Sequence, residues 1–468
     1  MVRLTLLGLA FGALALAQEI SNPPRQAKYE SGEVHARLMA MKNARYDAVL
    51  AAGVRDTSSF RAVEGKAACV NGTAAGFRCS NIDLYHFISH ADLGSTTGSG
   101  SSSWGWTFQD REFIIIAQAD GAAFAEVQSD GILKYLGRLP STPGTTPQIW
   151  RELRVLDNLV VIGTEITRHG VQIFDLTKLL NITDTPVVFD PNTDLTGFWN
   201  ELPVGRTHNI VVPPSGTGKY FAAVGAQPRN DTWRAGLVFV DITDPTTPTL
   251  LGFQAEDGYV HDAQCLPYKG PDVKFTGQEV CYGYNEDTLT IYNVTDKAKA
   301  TIISRTSYVG ASYTHQGWVL DPENQHYLLL DDELDEVDEA GLAADGFPVT
   351  YIWDISNLAA PKLTGHYKTS VKGIDHNQYV SNGLVYQSNY GAGLRILDVS
   401  GIPLDPTGGN VKELGFFDIY PEDDDAEGGG EVEFQGTWSS YGFFKSGYIV
   451  INTIERGAFV VKLADGAQ

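Results

Sequence analysis

Gly236-Leu237-Val238-Phe239-Val240-Asp241-Ile242 reads as a single β-strand: a glycine opens it, β-branched and aromatic residues fill it, and an aspartate leads into the turn Thr243-Asp244-Pro245. The same pattern returns at 121–127, 170–176, 287–293, 350–355, 393–399 and 457–463, and the seven starts lie 43 to 66 residues apart. One motif at such a period is the mark of a repeat architecture. A second strand carrying a glycine follows several copies, at 134–138, 249–253, 362–366 and 412–416. Strands punctuated by turns, with little helix, predict an all-β radial repeat. Seven units of about 50 residues predict a seven-bladed β-propeller with four strands to a blade. A pair of β-sandwiches would not repeat one motif seven times.

Working outward from that strand, each blade should begin with a first strand that lines the central channel. The seven entries fall at 104–107, 149–152, 207–210, 260–263, 314–317, 375–378 and 436–439. Three of them carry tryptophan and four consecutive ones carry histidine: His208, His261, His315 and His376. Equivalent positions of different blades face one another around the axis, so these four imidazoles are predicted to converge. Neutral imidazoles are ligands for iron, copper, nickel or zinc. Asp262, Asp375 and Glu152 are the acids expected to orient the rings. The competing reading makes each histidine a hydrogen-bond lock between blades, but a generic lock belongs in all seven blades rather than four. His35, His86, His90, His169, His326 and His366 lack the shared setting and read as packing or surface residues.

Other chemistry is sparser. The acidic runs 331–336 and 422–425 offer oxygen ligands for calcium, yet neither has the spacing and central glycine of an EF-hand, and both read as solvated loops. No nucleophile elbow, zinc-protease helix or phosphate loop is present in the sequence.

Residues 1–17 read as a secretory signal, with a weak basic start at Arg3, an apolar run and small residues before Gln18. No other stretch approaches 18 consecutive apolar residues, so no membrane span is expected. Residues 18–103 form an N-terminal extension, and 104–468 form the propeller. Within the extension a helix is predicted from Ser31 to Ala52, capped by Ser31, with a stripe of Val34, Leu38, Met41, Tyr46, Val49 and Leu50 packed on the outside of the main domain. Four cysteines suit an oxidising compartment. Of the three connectivities, the local pairs Cys69–Cys79 and Cys265–Cys281 are the simplest, the first stapling a loop of the extension. Sequons at Asn71, Asn181, Asn230 and Asn293 agree with a glycosylated, secreted surface. The formal charge of −23 repels nucleic acid and anionic membranes. A monomer is expected.

Taken together, Trp104-Gly105-Trp106, Gly258-Tyr259-Val260-His261-Asp262-Ala263-Gln264-Cys265, Tyr313-Thr314-His315-Gln316-Gly317-Trp318, Asp331-Asp332-Glu333-Leu334-Asp335-Glu336, Ile374-Asp375-His376-Asn377 and Ile454-Glu455-Arg456-Gly457 resemble the choice-of-anchor B family. Those proteins are secreted or surface-anchored and built on LVIVD-type propeller repeats. The resemblance runs from about Cys69 to Leu463 and implies an extracellular β-propeller without implying a reaction. The end at Gln468, close behind the last repeat, favours a freely secreted form. The expected function is a binding or interaction module for an extracellular protein, glycan or small molecule, with a histidine-lined channel mouth. The alternative is a metal-dependent oxidoreductase using iron or copper on the four histidines, with zinc a further candidate for the same ligands.

Overall fold

The computed structural model describes residues 23–54, 63–464 and 466, so the signal-sequence expectation lies outside them. Seven antiparallel blades surround one axis. Their first strands, blades 1 to 7, are Gly100–Phe108, Arg151–Leu156, Asn209–Val211, Asp262–Pro267, Thr314–Val319, Gln378–Ser381 and Thr437–Tyr441. Every copy of the sequence motif is the third strand of its blade: Gly121–Val127, Val171–Asp175, Leu237–Asp241, Leu289–Asn293, Val349–Asp354, Leu394–Asp398 and Gly457–Leu463.

The third strand is apolar on both faces because each face meets a different neighbour. Val238 and Val240 pack with Ile173 and Trp199 of blade 2, while Leu237 and Phe239 pack with Cys265, Cys281 and Tyr292 of blade 4. Its terminal aspartate closes a local turn: the Asp241 carboxylate accepts the Thr243 N–H at 2.9 Å, and Asp175 and Asp398 do the same for Thr177 and Ser400. The glycine of the fourth strand is required by the next blade. A Cβ on Gly252 would stand 2.3 Å from the Lys297 carbonyl oxygen, and one on Gly137 would stand 2.0 Å from that of Val187.

Segments assigned from sequence to the N-terminal extension contribute strands to blades 6 and 7 and the first residues of the opening strand of blade 1. Ile82–Ser89 pairs antiparallel with Gly457–Leu463 as the fourth strand of blade 7, and Val63–Ala67 pairs outside it. Phe77–Ser80 adds to the edge of blade 6. A strand that follows the helices and the last strand of the described chain therefore close the ring together. Both local disulfides are present, Cys69–Cys79 across this edge and Cys265–Cys281 between paired strands of blade 4.

Among the described residues two helices precede the strands, α1 at Pro23–Glu30 and α2 at Glu33–Ala51. The sequence reading saw only the second. Ser31 does not occupy the N-cap, which is Gly32, but its Oγ accepts the Glu33 N–H at 3.2 Å. α2 lies across the channel mouth rather than along an outer wall. Val34 and Leu38 belong to one buried cluster with Trp150 of blade 2, Tyr313 of blade 5, Ile374 at the entry to blade 6 and Trp438 of blade 7. Only a position on the axis touches so many blades. Among the described residues, no helix is long and apolar enough to cross a membrane.

Candidate functional site at the channel mouth

The four histidines of the sequence motif do gather under α2. Consecutive ring centres are 4.2 Å (His208–His261), 4.2 Å (His261–His315) and 4.5 Å (His315–His376) apart. Each Nδ1 has a partner: Glu165 Oε1 at 3.0 Å for His208, the His315 carbonyl at 2.8 Å for His261, Asp331 Oδ1 at 3.0 Å for His315 and the Trp438 carbonyl at 2.7 Å for His376. A carbonyl only accepts, so His261 and His376 must carry their hydrogen on Nδ1, which leaves a lone pair on Nε2 of the neutral ring. Neutrality follows from burial. It holds the His261 and His315 pKa values well below the ordinary range and brings His376 down to about 4.

The rings form an arc rather than a closed cage. Seven equal sectors with neighbours 4.2 to 4.5 Å apart place ring centres about 5 Å from the axis, whereas a nitrogen-bonded imidazole keeps its centre about 3 Å from an ion. A single ion on the axis is thus beyond the reach of all four. The set with one ligand atom each, all within 4.8 Å of one another, is His261, His315 and Glu333.

Glu333 comes from the acidic run 331–336, and here the expectation of a solvated loop is corrected. Asp331, Asp332, Glu333, Asp335 and Glu336 are each at most 2 % exposed, because the chain leaving the second strand of blade 5 turns inward beneath α2. Hydrogen bonds replace water. Asp332 accepts from Tyr308 Oη at 2.7 Å and from the Ser312 and Tyr313 N–H groups at 2.8 and 2.6 Å, and Asp331 accepts the Gln316 N–H at 2.9 Å. Glu333 Oε1 receives the Lys42 ammonium of α2 at 2.6 Å and Tyr390 Oη at 2.5 Å. Its other oxygen has no hydrogen-bond partner and stands 3.8 Å from His315 Nε2.

The acids expected to orient the histidines do other work. Asp262 accepts the Ala263 N–H at 2.7 Å and stands 3.7 Å from Arg154. Glu152 accepts Trp438 Nε1–H at 2.7 Å, and Asp375 faces Asp335 and Glu336. Residues next to a histidine on a strand point to the opposite face, so the actual orienting groups arrive from elsewhere: Asp331 from a second strand and Glu165 from a neighbouring blade. Burial pushes the Glu165 carboxyl up, but its bonds with His208 and Arg206 outweigh this and bring it down to about 2. His35, set aside from sequence, is also part of the site. Its Nδ1 lies 2.7 Å from Tyr313 Oη and its ring 6.2 Å from that of His208. The spacing of His35, Leu38 and Lys42, on one face of a helix, was the available signal.

Beside the arc, a cavity of 390 Å³ opens between α1 and the mouths of blades 3 to 5, lined by Tyr29, Arg229, Asp257, Asn285, Asp287 and Ser307 among others. Arg229 is held by Glu286 through two bonds of 2.7 and 2.6 Å, and Arg305 is paired with Asp257 at 2.5 Å, so these charges are compensated. Asn285 Oδ1 and Ser307 Oγ are buried there without a hydrogen-bond partner. Burial raises Asp287 to about 7, with Asp257 and Glu286 adding to it. A groove of 880 Å³, more open to solvent, runs along the other side of α2 past Trp150 and Arg206. Of the four sequons, Asn71, Asn181 and Asn230 are exposed, while Asn293 is half-buried with its amide donating to Gln278 Oε1 at 2.5 Å.

The sequence model of the LVIVD repeat matches residues 232–253 and 351–369, which span the third and fourth strands of blades 3 and 5. No curated protein matches the chain. Among solved structures, the β-propeller domain of Cps50 (Swd1) from Myceliophteria thermophila is similar at 14% identity and a TM-score of 0.46, covering 78% of this chain and 98% of that one. A functionally unknown protein from Desulfotomaculum acetoxidans is similar at 8% identity and a TM-score of 0.45, covering 67% of this chain and 88% of that one.

Proposed function

We propose that this chain is a secreted, glycosylated, monomeric binding propeller of the choice-of-anchor B type, which takes a small, neutral, polyhydroxylated ligand in the cavity beside α1. The observation that carries the reading is the cavity itself. Its 390 Å³ suits a small molecule, its Arg229 and Arg305 are paired with Glu286 and Asp257, and the buried Asn285 Oδ1 and Ser307 Oγ lack partners that ligand hydroxyls would supply. Calorimetric titration with a panel of mono- and disaccharides, polyols and amino acids tests it. A sugar or polyol should bind, and Asn285→Leu with Ser307→Ala should weaken it at least tenfold. A panel without any binder, or binding indifferent to those two changes, rejects the reading.

A second reading is favoured by one specific arrangement: two neutral imidazoles and the unpartnered Glu333 oxygen converge with no donor among them. That set suits iron, copper or zinc, with His208 and His376 flanking it, and an oxidoreductase would be built around such an ion. Metal analysis of protein from its native host tests it, and less than about a tenth of an equivalent of any transition metal rejects it, since such sites bind tightly. His261→Ala should release the metal and leave the propeller folded.

A further inference from the structure

We propose that Asp335, Glu336 and Asp375 hold a hard divalent cation of the calcium class at the junction of blades 5 and 6. One carboxylate oxygen from each lies within 4.8 Å of the others, and all three residues are at most 2 % exposed. Four of their six oxygens have no hydrogen-bond partner: both of Asp375, Oε2 of Glu336 and Oδ1 of Asp335. The two that are bonded receive Tyr351 Oη at 2.6 Å, on Asp335, and the Asp375 N–H at 3.4 Å, on Glu336. Cations in the neighbourhood are committed elsewhere, Lys42 to Glu333 and Arg37 to Asp338.

Three dry carboxylates without a counter-charge cost several kcal/mol each by desolvation alone, so the folded chain must neutralise them by protons or by a cation. Protons do not complete the account. One shared between Asp335 and Glu336 satisfies that pair, and a second on Asp375 neutralises it but leaves its carbonyl oxygen without a donor. A single cation satisfies all three groups at once. With oxygen as the only donor, the site selects calcium, magnesium or manganese over zinc or copper. It therefore differs in chemistry from His261, His315 and Glu333, and it stands independently of either functional reading above.

The test uses the whole chain, analysed for metal by acid digestion as purified and again after dialysis against a chelator, then titrated with CaCl₂ while thermal unfolding is followed. About one equivalent of calcium should be found or rebound, and calcium at a hundred times its Kd should raise Tm by about 3 to 5 °C. Asp375→Asn and Glu336→Gln should each weaken calcium binding at least tenfold. Asp338→Asn, outside the cluster, and His315→Ala, in the imidazole set, should both retain it. Where the acid variants fail to fold, terbium luminescence sensitised through Tyr351 in the wild-type chain gives the same answer. No bound metal as purified, together with no rise in Tm from calcium, magnesium or manganese, overturns the proposal. So does calcium binding that Asp375→Asn leaves intact.

Discussion

Lys42→Met is the sharpest perturbation of the channel mouth. Lys42 Nζ sits 2.6 Å from Glu333 Oε1, with the two side chains 4 % and 0 % exposed. At an effective dielectric constant of about 20, a pair this close attracts by about 6 kcal/mol, and most of that offsets the desolvation of the two groups. Removing the ammonium forfeits the attraction and leaves Glu333 dry with Tyr390 as its remaining hydrogen-bond donor, so the expected loss of stability is about 3 to 5 kcal/mol. Methionine preserves the stem beside Phe434 and Trp438, each 5.6 Å from the ammonium, so the loss reports charge rather than volume. The assay is guanidinium unfolding of wild type, Lys42→Met, Glu333→Gln and the double variant. The double variant should recover at least about 2 kcal/mol relative to the sum of the singles. A loss below about 1 kcal/mol for Lys42→Met, with no coupling to Glu333, would refute the claim that this ion pair pins α2 over the axis.

Two further outcomes are expected. Burial raises the Asp418 carboxyl to about 8, so in the folded chain it resists ionisation; its contribution to stability is present below pH 4 and is lost as pH rises through about 8. Asp418→Asn keeps an acceptor for the Tyr420 N–H and should gain Tm relative to wild type between pH 5 and pH 9, a gain of about 2 to 5 kcal/mol at the alkaline end; a difference that stays flat with pH contradicts the assignment. Gly252→Ala drives a Cβ to 2.3 Å from the Lys297 carbonyl, and should cost about 2 to 3 kcal/mol by thermal unfolding, whereas a neutral result would mean that blades 3 and 4 are not in contact there.

The blades were legible because each must solve the same wedge. A strand packed on both faces has to be apolar throughout, its exit has to turn at once, and the next blade's backbone leaves no room for a side chain at the fourth-strand glycine. Leu237 to Asp241 and Gly252 record those three demands locally; the third-strand pattern returns in the other six blades, and the fourth-strand glycine returns in blades 1, 2, 5 and 6. Ile82–Ser89 carries no such record. Its alternation says strand, but its partner is Gly457–Leu463, more than 360 residues away, and nothing local names a partner at that distance. The stripe on α2 was equally mute about its target: Val34 and Leu38 say that one face is covered, not that the channel covers it.

At the site, the histidines were visible because they recur, and the groups that give them chemistry were not because they do not. Glu165, Lys42 and the pair Asp331 and Glu333 come from three separate parts of the chain, outside any repeated motif, and meet only when the ring closes. The acidic run misled for a physical reason. Composition alone favours water around six consecutive residues that include five acids, and only the tertiary structure shows Tyr308, Tyr390, Lys42 and three backbone amides replacing that water for some of them. Asp335 and Glu336 receive far less, and Asp375 on the next blade brings a third carboxylate with no donor at all. Uneven satisfaction along one short segment is therefore the most informative feature of the mouth. Where donors are supplied, the acids shape the histidine arc, and where they are missing, the carboxylates are left for the proposed cation to neutralise.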